Sequence, residues 1–74
     1  MADQTLDAKG LNCPLPILKT KKAIQKMESG QVLEVLSTDA GSVKDMEAFC
    51  NQTGNTLVEV SENGGEYTFV IEKA

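Results

Sequence analysis

Apolar residues recur along this chain with two periods, one of two residues and one of three to four, and the switches between them divide it into six segments. Thr5-Leu6-Asp7-Ala8 alternates and predicts a short first strand with Leu6 and Ala8 inward. Pro14 and Pro16 then fit the first turn of a helix, where a missing N–H costs nothing and φ is already set. Along that helix Ile17, Thr20, Ala23, Ile24 and Met27 share one face, Lys19, Lys22 and Lys26 share the other, and Ser29-Gly30 ends it. Val32-Leu33-Glu34-Val35-Leu36 is nearly continuously apolar and β-branched, as a central strand should be. Thr38-Asp39-Ala40-Gly41 reads as a turn. Ser42 with Asp45 three residues on resembles a capping box. Val43, Met46, Phe49 and Cys50 line one face of a second helix that Gly54 closes. Thr56–Glu62 and Glu66–Glu72 read as strands joined by a hairpin at Asn63-Gly64-Gly65, with Tyr67, Phe69 and Ile71 facing in.

The predicted order is therefore β-α-β-α-β-β. Each helix has a single apolar stripe, so the two helices should lie side by side on one face of a four-stranded mixed sheet, an α/β (α+β) two-layer sandwich. With 74 residues the chain makes one domain, residues 1–74, and 41% hydrophobic content is enough for one small core. The acidic start Met1-Ala2-Asp3-Gln4 has no apolar run behind it and no segment could span a bilayer, so the expected setting is cytoplasmic, without membrane contact. A monomer is expected.

Charge changes the picture in one place. The net charge is −4, yet between Lys9 and Met27 stand five lysines (Lys9, Lys19, Lys21, Lys22, Lys26) and no carboxylate. From Glu28 onward two lysines, Lys44 and Lys73, face nine acids. Positive potential is thus expected around the first helix of an otherwise acidic protein. Direct nucleic-acid binding is disfavoured by the net charge and by the few aromatics available for stacking.

Candidate chemistry narrows to one thiol, Cys13, in Gly10-Leu11-Asn12-Cys13-Pro14-Leu15-Pro16. The chain has no histidine and one other cysteine, Cys50. A Cys-His nucleophilic pair and a zinc site both lack their partners. A thioredoxin-like motif would need a cysteine where Pro16 stands. A single cysteine is often a small buried hydrophobe. The predicted helix start argues otherwise, because the core face is already filled by Ile17, Ile24 and Met27. The helix terminus and the lysines should also favour an anion, lowering the thiol pKa below its usual value of about 8.5. Cys50 falls on the apolar face beside Phe49 and reads as buried and inert. The stripe of Lys19, Lys22 and Lys26 admits two readings, a solvated helix face or a docking surface for acidic partners. Asp39 and Ser42 read as turn and cap residues, and Gly64-Gly65 as a hairpin turn.

The run Leu6-Asp7-Ala8-Lys9-Gly10-Leu11-Asn12-Cys13-Pro14-Leu15-Pro16 resembles the signature of the TusA/SirA/YedF family of small sulfur-carrier proteins. The resemblance continues through Gly30-Gln31-Val32-Leu33-Glu34-Val35, Thr38-Asp39 and Phe49-Cys50 before Gly54, over essentially the whole chain. It implies a two-layer sandwich and a persulfide carried on Cys13, with Pro14 and Pro16 shaping the helix N-terminus behind it. The carrier would take sulfane sulfur from a donor protein, a cysteine desulfurase or a rhodanese. It would pass the sulfur to an acceptor of the DsrE type or one like heterodisulfide reductase. Two pathways use such carriers, sulfur oxidation and tRNA 2-thiouridine synthesis. The tRNA branch tends to place an acidic residue between the two prolines, where this chain has Leu15. Such a carrier is a sulfurtransferase partner without a small-molecule substrate of its own, and it needs no cofactor or metal. Two other readings compete: a regulatory adaptor that docks through the lysine-rich helix, and a thiol redox sensor.

Overall fold

The computed structural model describes residues 2–74, with β1 at Gln4–Ala8, α1 at Leu15–Gln25, β2 at Val32–Ser37, α2 at Ser42–Thr53, β3 at Thr56–Asn63 and β4 at Glu66–Glu72. The six elements appear in the expected order. Their sheet runs β1-β2-β4-β3, with β1 and β2 parallel and the other two pairings antiparallel, so it is mixed.

Period-two alternation decides which face the helices cover. On β2, Leu33, Val35 and Ser37 are buried while Val32, Glu34 and Leu36 between them are half-buried. The same alternation puts Phe69 and Ile71 of β4 inward. Both helices pack on this face: Ile24 comes from α1, Met27 from just beyond it, and Met46, Phe49 and Cys50 come from α2. Burying side chains of this size contributes about 1.5–3 kcal/mol each. Among the described residues the opposite face has no second layer, which is why its residues on central β2 are only half covered. Strand β3 is the antiparallel edge and is mostly exposed. Its register shifts between Leu57 and Glu59, and Val58 between them is 55% exposed.

The ends of the helices depart from expectation in instructive ways. Pro14 is the N-cap of α1 and lies outside the helix, while Pro16 is its second residue and is buried. The helix stops at Gln25 rather than near Ser29, with Lys26 as its C-cap. The Lys73 ammonium, from beyond β4, donates to the carbonyls of Ile24 and Met27 at 2.9 and 2.7 Å, and so satisfies acceptors that α1 leaves over. In α2, Ser42 is not a cap. It is the first helical residue, after Gly41, and no side chain caps the helix. Its buried hydroxyl bonds the Asp39 carbonyl and lies 3.1 Å from the Ser37 hydroxyl, joining α2 to the end of β2. Gly54 does end α2, with φ of 76° in the left-handed region that glycine adopts without strain. Among the described residues no helix is long and apolar enough to cross a membrane.

Candidate functional site

Because β1 and β2 are parallel, the loops that leave their C-terminal ends emerge at the same edge of the sheet. Such an edge is where α/β sheets gather reactive groups. The first loop carries Cys13 and the second carries Asp39, with Asp45 following in the first turn of α2.

Backbone hydrogen bonds tie the two loops together. Gly10, at φ 82°, donates its N–H to the Thr38 hydroxyl at 2.9 Å. The Cys13 N–H donates to Asp39 Oδ2 at 2.7 Å, and the other oxygen of that carboxylate accepts from Gly41 N–H at 3.0 Å. Asp39 therefore does more than turn the chain: it fixes the backbone of Cys13 against the start of α2. Leu15 N–H bonds the Asn12 carbonyl at 2.9 Å, closing a turn around the cysteine before α1 begins. The Cys13–Pro14 peptide bond is cis.

Cys50 is buried and the Cys13 thiol is exposed, neither of them in a disulfide. The electrostatic setting of Cys13 overturns the expectation drawn from the lysines. The Cys13 Sγ–H donates to Asp45 Oδ2, and this hydrogen bond raises the thiol pKa above the ordinary cysteine value. Partial desolvation and the negative charges of Asp45 and Asp39 push the same way. Cys13 precedes the helix instead of sitting in its first turn, so it gains little from the helix terminus. Lys19, Lys22 and Lys26 are exposed along α1 and its C-cap, and Lys22 lies roughly 10 Å along the helix from Leu15. The carboxylates of Asp45 and Asp39 decide the sign.

Beside the sulfur, an open groove of about 260 Å³ runs between the helices and is lined by Cys13, Pro14, Ile17, Asp45, Ala48, Phe49 and Gln52. Leu15 and Leu18 stand 46% and 49% exposed on α1. Their spacing with Lys19 and Lys22 places all four on one outer stripe of the helix. The buried face of α2 holds Cys50, where burial pushes the thiol up by a different route.

The sequence reading placed Cys13, Pro14 and Pro16 at the site and missed Asp39 and Asp45 as its neighbours. The available sign was the β-α-β-α order, which sends the loops after two parallel strands to one edge.

The chain is similar in sequence and in shape to known proteins. A family model described as "Sulfurtransferase TusA" matches residues 4–73. The "Sulfur carrier protein TusA" of Allochromatium vinosum is 61% identical over 72 residues, covering 97% of this chain and 95% of that protein. The protein of the same description from Pseudomonas entomophila is 39% identical over 71 residues, covering 96% and 89%. A crystal structure of a SirA-like protein from Desulfitobacterium hafniense superposes with a TM-score of 0.81 at 28% identity, covering 93% of this chain and 95% of that one.

Proposed function

This chain belongs to the TusA family, and from that premise we propose that it is a sulfur carrier, receiving sulfane sulfur on Cys13 Sγ as a persulfide and handing it to a cysteine of a second protein. The observation that carries the assignment to this residue is the exposure of Cys13 on a hydrogen-bonded loop, while the other thiol is buried. A loaded carrier must not discharge into its own disulfide, and a resolving thiol locked in the core serves that need.

Donor and acceptor are proteins, so the carrier needs surface for both. Leu15 and Leu18 with Lys19, Lys22 and Lys26 supply an apolar and basic stripe that begins beside the sulfur. The donor is a cysteine desulfurase or a rhodanese, and the acceptor is a DsrE-type or heterodisulfide-reductase-like protein. The two pathways, sulfur oxidation and tRNA 2-thiouridine synthesis, are separated by offering the loaded protein to acceptors from each and following where the sulfur goes.

The direct test incubates the protein with a cysteine desulfurase and cysteine, or with polysulfide, and reads the intact mass. One added sulfur is expected in the wild type and in Cys50→Ser, and none in Cys13→Ser. Absence of an adduct with every donor would sink the carrier reading. Retention of the adduct in Cys13→Ser would move the site elsewhere.

A further inference from the structure

A carboxylate is the wrong neighbour for a sulfur meant to stand as a thiolate, because it holds the proton on and repels the anion. Yet Asp45 accepts a hydrogen bond from Cys13 Sγ, and Asp39 brings a second carboxylate to the same loop from the end of β2. The arrangement fits the opposite task. Building on the carrier reading, we propose that Asp45 biases Cys13 toward giving sulfur away, by favouring the empty thiol over the loaded persulfide.

Loading balances as R–S–SH + Cys13–SH → R–SH + Cys13–S–SH. Cys13 sulfur gives up its proton and attacks the outer sulfur of the donor. The donor S–S bond breaks, its electron pair leaves on R–S⁻, and that thiolate takes up the proton. The transferred atom keeps its oxidation state, so no oxidant or reductant enters. In the empty carrier Sγ bears a proton and donates it to Asp45. In the loaded carrier Sγ is bonded to sulfur instead, and that hydrogen bond is gone. A persulfide is also more acidic than its parent thiol, so loading sets a new anion beside two carboxylates. Both effects push the exchange toward the empty state. Unloading to an acceptor thiol runs the same step in reverse, and Sγ recovers both its proton and its partner. The protonated thiol is also the slower form toward oxidants, which guards the carrier between deliveries.

The test equilibrates the full chain with glutathione persulfide and glutathione at a fixed ratio and counts loaded and empty protein by intact mass. Asp45→Asn and Asp45→Ser should raise the loaded-to-empty ratio about threefold, the size expected of an exposed charge interaction. Asp45→Glu should stay near the wild type. Glu47→Gln, an exposed position on the same helix, should change nothing. The pH midpoint for alkylation of Cys13 by iodoacetamide should lie above the ordinary cysteine value in the wild type and fall in the Asn and Ser variants. Equal ratios in wild type and both variants, with the wild type loading normally, would overturn the role of Asp45 and leave the carrier reading standing. A raised ratio with an unmoved midpoint would assign the effect to loop structure and overturn it as well. A wild type that takes up no sulfur from any donor ends both.

Discussion

The surroundings of the two cysteines differ in almost everything except the direction in which they move the thiol pKa. Cys50 stands in the last turn of α2 on its core face, 3% exposed, and desolvation raises its pKa because the anion would lose its water. Cys13 stands in a loop at the edge of the sheet, exposed to solvent, and there the Asp45 hydrogen bond and nearby negative charge do the raising. A raised thiol pKa therefore says little about which cysteine works. What separates the two is access: a partner protein can reach one sulfur, and the other is buried in the core cluster with Met46 and Phe49.

That contrast can be pressed in three ways, in falling order of effect. Cys50→Ser exchanges a buried thiol for a more polar hydroxyl whose ready partner is the Met46 carbonyl one turn back, at a cost of about 1–3 kcal/mol. In a domain of this size each kcal/mol lowers Tm by roughly 4–8 °C. Thermal unfolding by circular dichroism should show this drop while Cys13 still loads, and an unchanged Tm would break the contrast. Asp39→Ala removes the acceptor of the Cys13 and Gly41 N–H groups. A smaller loss of about 1 kcal/mol is expected, together with faster hydrogen exchange at the Cys13 amide; unchanged exchange would mean the loop is held by something else. Lys22→Glu with Lys26→Glu should leave stability within about 0.5 kcal/mol, as exposed positions do. Loading from polysulfide should be unchanged, while transfer from a protein donor should slow and respond differently to salt. If protein-mediated transfer keeps its rate and salt response, the stripe is only a solvated face.

Much of this was legible because burial on one face leaves a periodic trace. Leu33 and Val35 alternate with half-covered neighbours, and Ile24 and Met27 fall where the stripe predicted. The local signs misled where a distant residue took over. Ser42 carries the sequence mark of a cap, but its hydroxyl turns inward to the Asp39 carbonyl and Ser37. Helix α1 looked longer because its apolar stripe runs on to Met27, whereas the carbonyls of Ile24 and Met27 accept from Lys73, far along the chain. The electrostatics of Cys13 failed for the same reason. Lysines near in sequence were weighed, while Asp39 and Asp45 arrive across 26 and 32 positions through the parallel pairing of β1 with β2. Charge counted along a chain is not charge counted around an atom.

The strand order has a consequence in time. In the arrangement β1-β2-β4-β3, the last strand made is the one that joins β3 to the rest of the sheet. Until Glu66–Glu72 is available, the parallel pair β1–β2 has no antiparallel neighbour, and the Lys73 ammonium cannot close the end of α1. Pairings so far apart in the chain form late, because loop closure must come before the contacts that reward it. A ribosome releases Cys13 long before it releases Lys73. The thiol and the loops that frame it, residues 10–13 and 38–41, are thus all in the nascent chain before the strand that holds β3 to the sheet is made.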